Sequence, residues 1–99
     1  MASIMITIGK LAEGGKPYLE KYAEIVMPLL HANGAKIHGR YAGVEALIGK
    51  DYPDLVAVME FQDSIAMAAF LDSSEYAAAI PYRKQAFRQL CTFACEHIQ

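Results

Sequence analysis

Residues 55–61, LVAVMEF, form one short stretch that is apolar on two sides at once and then carries a glutamate. In an extended chain successive side chains point to opposite faces. Leu55, Ala57, Met59 and Phe61 therefore share one face, and Val56, Val58 and Glu60 share the other. A strand of this kind belongs inside a sheet that is covered from both sides. It requires an explanation for the second cover, and it raises the question of what the Glu60 carboxylate does beside two valines.

Ninety-nine residues form one domain, 1–99, with one core, because a chain of this length buries only about 60–70% of its unfolded surface. Yet 55% of the residues are hydrophobic, with five Met and six Tyr, more than one small core needs. Part of the apolar surface is therefore expected to meet a partner.

The rest of the chain supplies the frame. Ser3 to Leu11 alternates Ile4, Ile6 and Ile8 against Ser3, Met5 and Thr7 and reads as a first strand ending near Gly14-Gly15. Pro17 suits a first helical turn, and Leu19, Tyr22, Ala23, Val26, Leu29 and Leu30 make a helical stripe that stops at Asn33-Gly34. Pro28 removes a backbone donor inside that helix and is expected to kink or loosen it. Ala35 to Tyr41 reads as a second strand, with Ile37, Gly39 and Tyr41 on one face and Lys36, His38 and Arg40 on the other. Leu55 to Phe61 is the third. Asp63 or Ser64 can cap a helix over Ile65 to Leu71, and DSSE at 72–75 has the form of a capping box opening Tyr76 to Ile80. Pro81 breaks or restarts that helix, and roughly Leu90 to His97 alternates as a last strand.

The order is β-α-β-β-α-β, the split βαβ arrangement of a ferredoxin-like α+β domain. Its antiparallel sheet has strands one and three in the centre and both helices on one face. The opposite face, which includes Val56 and Val58, would then lie bare. Two sheets packed face to face remove the problem, so a homodimer through the sheet is expected.

Several function classes are disfavoured. The net charge is −2, the sequence pI is about 5.8, and the basic residues are scattered, so nucleic acid lacks its electrostatic footprint. No apolar run approaches the ~20 residues of a membrane span, no basic amphipathic helix suggests a membrane surface, and MASIMITIGK is not a secretory leader. A cytoplasmic protein is expected. Cys91 and Cys95 fall on one face of a strand about 13 Å apart, too far to bridge. His31, at a helix C-terminus, His38 and His97 are dispersed without ligand spacing, so no metal is expected.

Three stretches, NGAKIHGR at 33–40, VAVMEFQDSIAMAAFLDS at 56–73 and SSEYAAAIPYR at 73–83, together resemble the domain of unknown function 1330 family. Gly34, Arg40, Glu60, Phe61, Glu75, Tyr76, Pro81 and Arg83 match its characteristic positions. The chain departs from the family's pattern at Ala35, Lys36, Tyr41 and Ala42. The resemblance implies a dimeric α/β barrel, in which two ferredoxin-like chains join their sheets. The superfamily includes small monooxygenases, muconolactone isomerase-like enzymes and haem-dependent peroxidases. Haem itself is disfavoured, since His31 and His97 have no place on a barrel-lining face, and no cofactor is expected.

Strand parity puts Glu60 on that lining face with Val56 and Val58. If strand two turns its charged face the same way, His38 and Arg40 join it, with Thr7 and Met5 completing the wall of a small-molecule pocket. In a catalytic reading Glu60 is a general base tuned by burial and by Arg40, and His38 or Arg83 holds a carboxylate or enolate of the substrate. In a structural reading Glu60 pairs with Arg40 or Arg83 and fixes strand register or dimer pairing. Tyr76 is read as a core or interface aromatic, or as a substrate-binding phenol.

Overall fold

The computed structural model describes residues 2–98. Its elements are β1 (Ser3–Leu11), α1 (Lys16–Ala32), β2 (Lys36–Ala42), β3 (Leu55–Phe61), α2 (Ser64–Asp72), α3 (Ser74–Ala77), α4 (Ile80–Ala86) and β4 (Phe87–Cys95). The strands form one antiparallel sheet in the order β2-β3-β1-β4. The result is a ferredoxin-like α+β fold with β1 and β3 in the centre, as the sequence pattern requires.

Local chemistry sets the helix ends. At the end of α1 the Gly34 N–H donates to the His31 carbonyl at 3.0 Å and the Ala35 N–H to the Leu30 carbonyl at 3.0 Å. This crossed pair of bonds needs a left-handed residue between them, and Gly34, at φ 73°, supplies it. α1 continues through Pro28 as one element. Asp63 caps α2 by accepting from the Ala66 N–H at 2.8 Å. Ser73 caps α3 by accepting from the Tyr76 N–H at 3.1 Å. Glu75 does not close a capping box; it accepts from the Ser74 hydroxyl at 2.6 Å, and that bond holds its carboxyl below the usual range. Pro81 restarts the chain as α4.

One boundary differs from expectation. The last strand begins at Phe87 rather than Leu90 and ends at Cys95 rather than His97. Phe87 is also the C-cap residue of α4 and already extended, at φ −117° and ψ 134°. The chain thus passes from helix to strand without an intervening Gly, Pro or Asn to mark the change. A register shift between Lys10 and Leu11 accommodates this early start.

The core lies between the helices and one face of the sheet. Met5, Ala57, Met59 and Phe61 from the strands meet Val26, Leu30, Met67, Phe70, Tyr76 and Ala79 from the helical layer. Phe61, Phe70 and Tyr76 stack in sequence, with ring centroids 5.5 and 5.2 Å apart. The opposite face carries Ile4, Ile6 and Ile8 from β1, Val56 and Val58 from β3, and Cys91, Phe93 and Cys95 from β4, as the register dictates. No secondary-structure element of the described chain covers it.

Candidate functional site

The residues expected to form one site divide between the two faces of the sheet, because β2 contains a bulge. Ile37 pairs with Met59, but Gly39 pairs with Val58 and Arg40 with Ala57, so the register shifts at His38. An extra residue on one strand reverses the alternation beyond it. His38 and Gly39 both turn to the open face, and Tyr41 follows them, its ring lying over Gly39. Arg40 is sent to the helix side with Ala57. The expectation that Arg40 stands beside Glu60 is therefore corrected. Met5 and Thr7 are corrected as well: they pair with Met59 and Ala57 and so face the helices, not Glu60.

On the open face, Glu60 and His38 do meet. His38 Nε2 lies 2.9 Å from Glu60 Oε1, with the side chains 38% and 34% exposed. Lys36 and Ile4 flank Glu60 as its cross-strand neighbours. Neither Arg40 nor Arg83 pairs with Glu60; among the described residues lysine and carboxylate meet at Lys10–Asp51, and His38 reaches Glu60 by a hydrogen bond. The Lys10 hydrogen bond holds the exposed Asp51 carboxyl below its usual range.

On the helix side, Arg83 and Tyr76 meet. Arg83 Nη1 donates to the Tyr76 hydroxyl at 3.0 Å, and its guanidinium carbon lies 5.8 Å from the centre of the Tyr76 ring. The Tyr76 hydroxyl in turn shares a hydrogen bond of 2.9 Å with the hydroxyl of Tyr22 on α1. The two rings meet edge to face, 6.2 Å between centroids. Burial is the main cause that pushes the Tyr22 phenol well above its ordinary pKa, with smaller contributions from Tyr76. Tyr22 is therefore a neutral phenol throughout the physiological range.

Tyr22 and Tyr76 line a cavity of about 60 Å³ between α1 and the sheet. Its walls are mainly apolar, with Met5, Met27, Met59 and Phe70 among them, and Arg40 stands at its rim. Thr7 and Thr92 add two hydroxyls from the sheet, bonded to each other at 2.9 Å. At about 30 Å³ per water in the liquid, the space holds roughly two waters. Methionine side chains are flexible enough to reshape such a wall around a larger guest.

A second cleft, about 200 Å³ and more open, lies beside Ile8, Lys10, Asp51, Tyr52, Gln89 and Cys91. It reaches the open face, but at the far end of β1 from Glu60: Ile8 is four residues from Ile4, about 13 Å along the strand. Neither of these two spaces is lined by Glu60. Among the described residues no group of three His, Cys, Asp or Glu side chains is placed to hold a metal ion, and no helix is long and apolar enough to cross a membrane.

Sequence reasoning passed over Tyr22 as a functional candidate. The signal was present, since a phenol on the apolar stripe of α1 must find a polar partner once buried. What could not be read was which residue, 54 positions away, supplies it.

Comparison with known proteins agrees with this architecture. The model of a family described as a domain of unknown function, DUF1330, matches residues 7–94. Among solved structures, the chain is similar to the RPA0582 protein of unknown function from Rhodopseudomonas palustris, with a TM-score of 0.86 at 17% identity over 99% of this chain and 83% of that one. It is also similar to a dimeric protein of unknown function and ferredoxin-like fold from Bacteroides fragilis, TM-score 0.67 at 15% identity over 97% and 96% of the two chains. An ethyl tert-butyl ether d family protein from Bacillus halodurans gives a TM-score of 0.72 at 19% identity over 99% and 100%. At these identities the likeness concerns the fold. No curated protein matches the chain.

Proposed function

We propose that this chain, which belongs to the DUF1330 family, is a single-domain homodimer that binds a small, largely apolar organic molecule. The observation that carries the ligand is the cavity under α1: an apolar wall rich in methionine with a few convergent hydroxyls is the usual composition of a small-molecule site. The pocket was expected on the Glu60 face; the reading preferred here moves it through the sheet to the helix side. The test uses the Met5, Met27 and Met59 methyl groups as reporters. Titration with small ring compounds is expected to shift their NMR resonances. A set of such compounds that moves none of the three would remove the ligand.

The second copy is supported by the open face. Four strands about 4.8 Å apart and seven to nine residues long present on the order of 500 Å², against about 800 Å² per partner in a stable interface. The segment between β2 and β3 can supply the difference, because Val44, Leu47 and Ile48 are 80%, 86% and 98% exposed. Sedimentation equilibrium at micromolar concentration is expected to return a dimer, and a monomer there would remove this part of the reading.

A second functional reading rests on the 2.9 Å contact between His38 and Glu60. A carboxylate bonded to an imidazole at the edge of a dimer cavity could act as the general base of a cofactor-free isomerase or monooxygenase. The same contact, with Lys36 opposite, could instead only hold β2 in register. Glu60→Gln separates the two: a base loses turnover, and a register pair loses a little stability.

A further inference from the structure

The hydrogen-bond arithmetic at the tyrosine pair of the helix-side cavity leaves one donor over. Arg83 is a donor only, so the Tyr76 oxygen accepts from it. The two phenols are 2.9 Å apart and share one hydrogen. Two neutral phenols carry two hydrogens, and the second has no acceptor among the described residues. Because Arg83 withdraws charge from the Tyr76 oxygen, the Tyr76 O–H is the better donor and points to Tyr22. The spare hydrogen then belongs to Tyr22, which lines the cavity.

We infer that Tyr22 is the recognition donor of this cavity, held in orientation by Tyr76 and Arg83, and that it selects a small apolar molecule carrying one neutral carbonyl oxygen. This inference rests on the ligand reading above. Two features narrow the class. The tyrosine pair offers one free O–H, which matches one acceptor at that point of the wall, while the Thr7 and Thr92 hydroxyls are engaged with each other. Arg83 stands behind Tyr76, outside the cavity lining, so its charge reaches the ligand only as polarisation of the phenol pair. A neutral carbonyl gains from this at the tyrosines, whereas a carboxylate would be drawn instead to Arg40, the cation that lines the same cavity. Arg83 and Tyr76 are thus positioning residues, and neither is required to touch the ligand.

The probes are cyclohexanone, which carries the acceptor, and benzene, a six-membered ring without one, each titrated against the methionine methyl resonances. Wild type is expected to bind both. Tyr22→Phe is expected to weaken cyclohexanone about three- to ten-fold, the worth of one ordinary hydrogen bond, and to leave benzene within two-fold. The double variant Tyr22→Phe/Tyr76→Phe is expected to behave likewise, which covers re-aiming of the Tyr76 hydroxyl in the single variant. Equal cyclohexanone binding by wild type and the double variant would overturn the donor while the cavity reading stands. If neither probe moves the methionines in wild type, the cavity reading fails and the donor with it. Should the variants not fold, the carbonyl stretch of cyclohexanone bound to wild type decides: a value lowered from that in an apolar solvent supports the donor, and an unshifted value overturns it.

Discussion

The two faces of this sheet are both largely apolar and end in different conditions. On the helix side, Met5, Ala57, Met59 and Phe61 are between 1% and 7% exposed. On the other side, Ile8 and Phe93 are 36% and 41% exposed. In β3 the buried Ala57, Met59 and Phe61 alternate with the partly exposed Val58 and Glu60. Composition therefore does not decide what a strand face buries; the presence or absence of a covering layer does. The helix side holds a finished core with a small cavity, whereas the open side has no covering layer among the described residues, and the proposed dimer would give it one.

The sharpest way to break this comparison is to empty both sides. Phe70→Ala removes a ring that is 1% exposed and packed between Phe61 and Tyr76. A loss of about 3–5 kcal/mol is expected in chemical denaturation. Phe93→Ala, measured at a protein concentration low enough to keep the chain monomeric, is expected to cost under ~1 kcal/mol, as for a surface position. Equal losses at the two sites in the monomer would mean that the open face is covered within the chain itself.

A charge placed at the centre of the open face tests its partner. Ile6 lies between Val58 and Phe93 in the register. Ile6→Arg buries an unpaired charge in a sheet-to-sheet dimer at about 3 kcal/mol, which weakens the dimer ~100-fold or more. Sedimentation equilibrium reads the change. Unaltered self-association in the variant would place the interface elsewhere.

These two tests also mark what the sequence could and could not tell. The apolar alternation of 3–11 and 55–61, the Asn33-Gly34 stop and the Asp63 cap are each decided by a few adjacent residues, and each was legible. The homodimer expectation came from Val56 and Val58, from the apolar excess of the composition and from the family resemblance, and the two valines do face away from the helices. The site was less legible, for a physical reason. Whether Arg40 shares a face with His38 depends on how β2 is paired to β3, and one extra residue at His38 reverses the answer; Gly39 beside it is a local sign of a bulge, but it does not fix where the extra residue falls. The Tyr22–Tyr76–Arg83 cluster likewise depends on the approach of α1 to α3 and α4, which no local pattern encodes.

The helix side can be probed through its buried phenol. Burial raises the folded-state pKa of Tyr22 above its unfolded value near 10. The unfolded chain then releases this proton first as pH rises, so the associated stability is intact below about pH 10 and declines above it, by about 1.4 kcal/mol per pH unit. Tyr22→Phe is expected to reduce the alkaline slope of unfolding free energy by that amount and to leave the slope between pH 6 and 9 unchanged. An identical alkaline slope in the variant would mean that Tyr22 ionises as easily in the folded chain as in the unfolded one.

The smallest effect is expected at the residue whose isolation first drew notice. Glu60 is bonded to His38 at 2.9 Å, with Lys36 across the strand, and its side chain is 34% exposed. Water still reaches the carboxylate, so loss of its charge is screened, and Glu60→Gln in the monomer is expected to change stability by less than ~1 kcal/mol. The glutamine can still bond the imidazole, so β2 keeps its bulge. Dimerisation changes the environment rather than the pair: a second sheet over Ile4, Val58 and Phe93 would take water from Glu60 and strengthen its interaction with His38. The penalty of Glu60→Gln is therefore expected to be larger in the dimer than in the monomer, and a thermodynamic cycle between the two states measures the difference. A cost of several kcal/mol already present in the monomer would show that Glu60 is enclosed by its own chain, and the two faces of the sheet would then differ less than their exposures indicate.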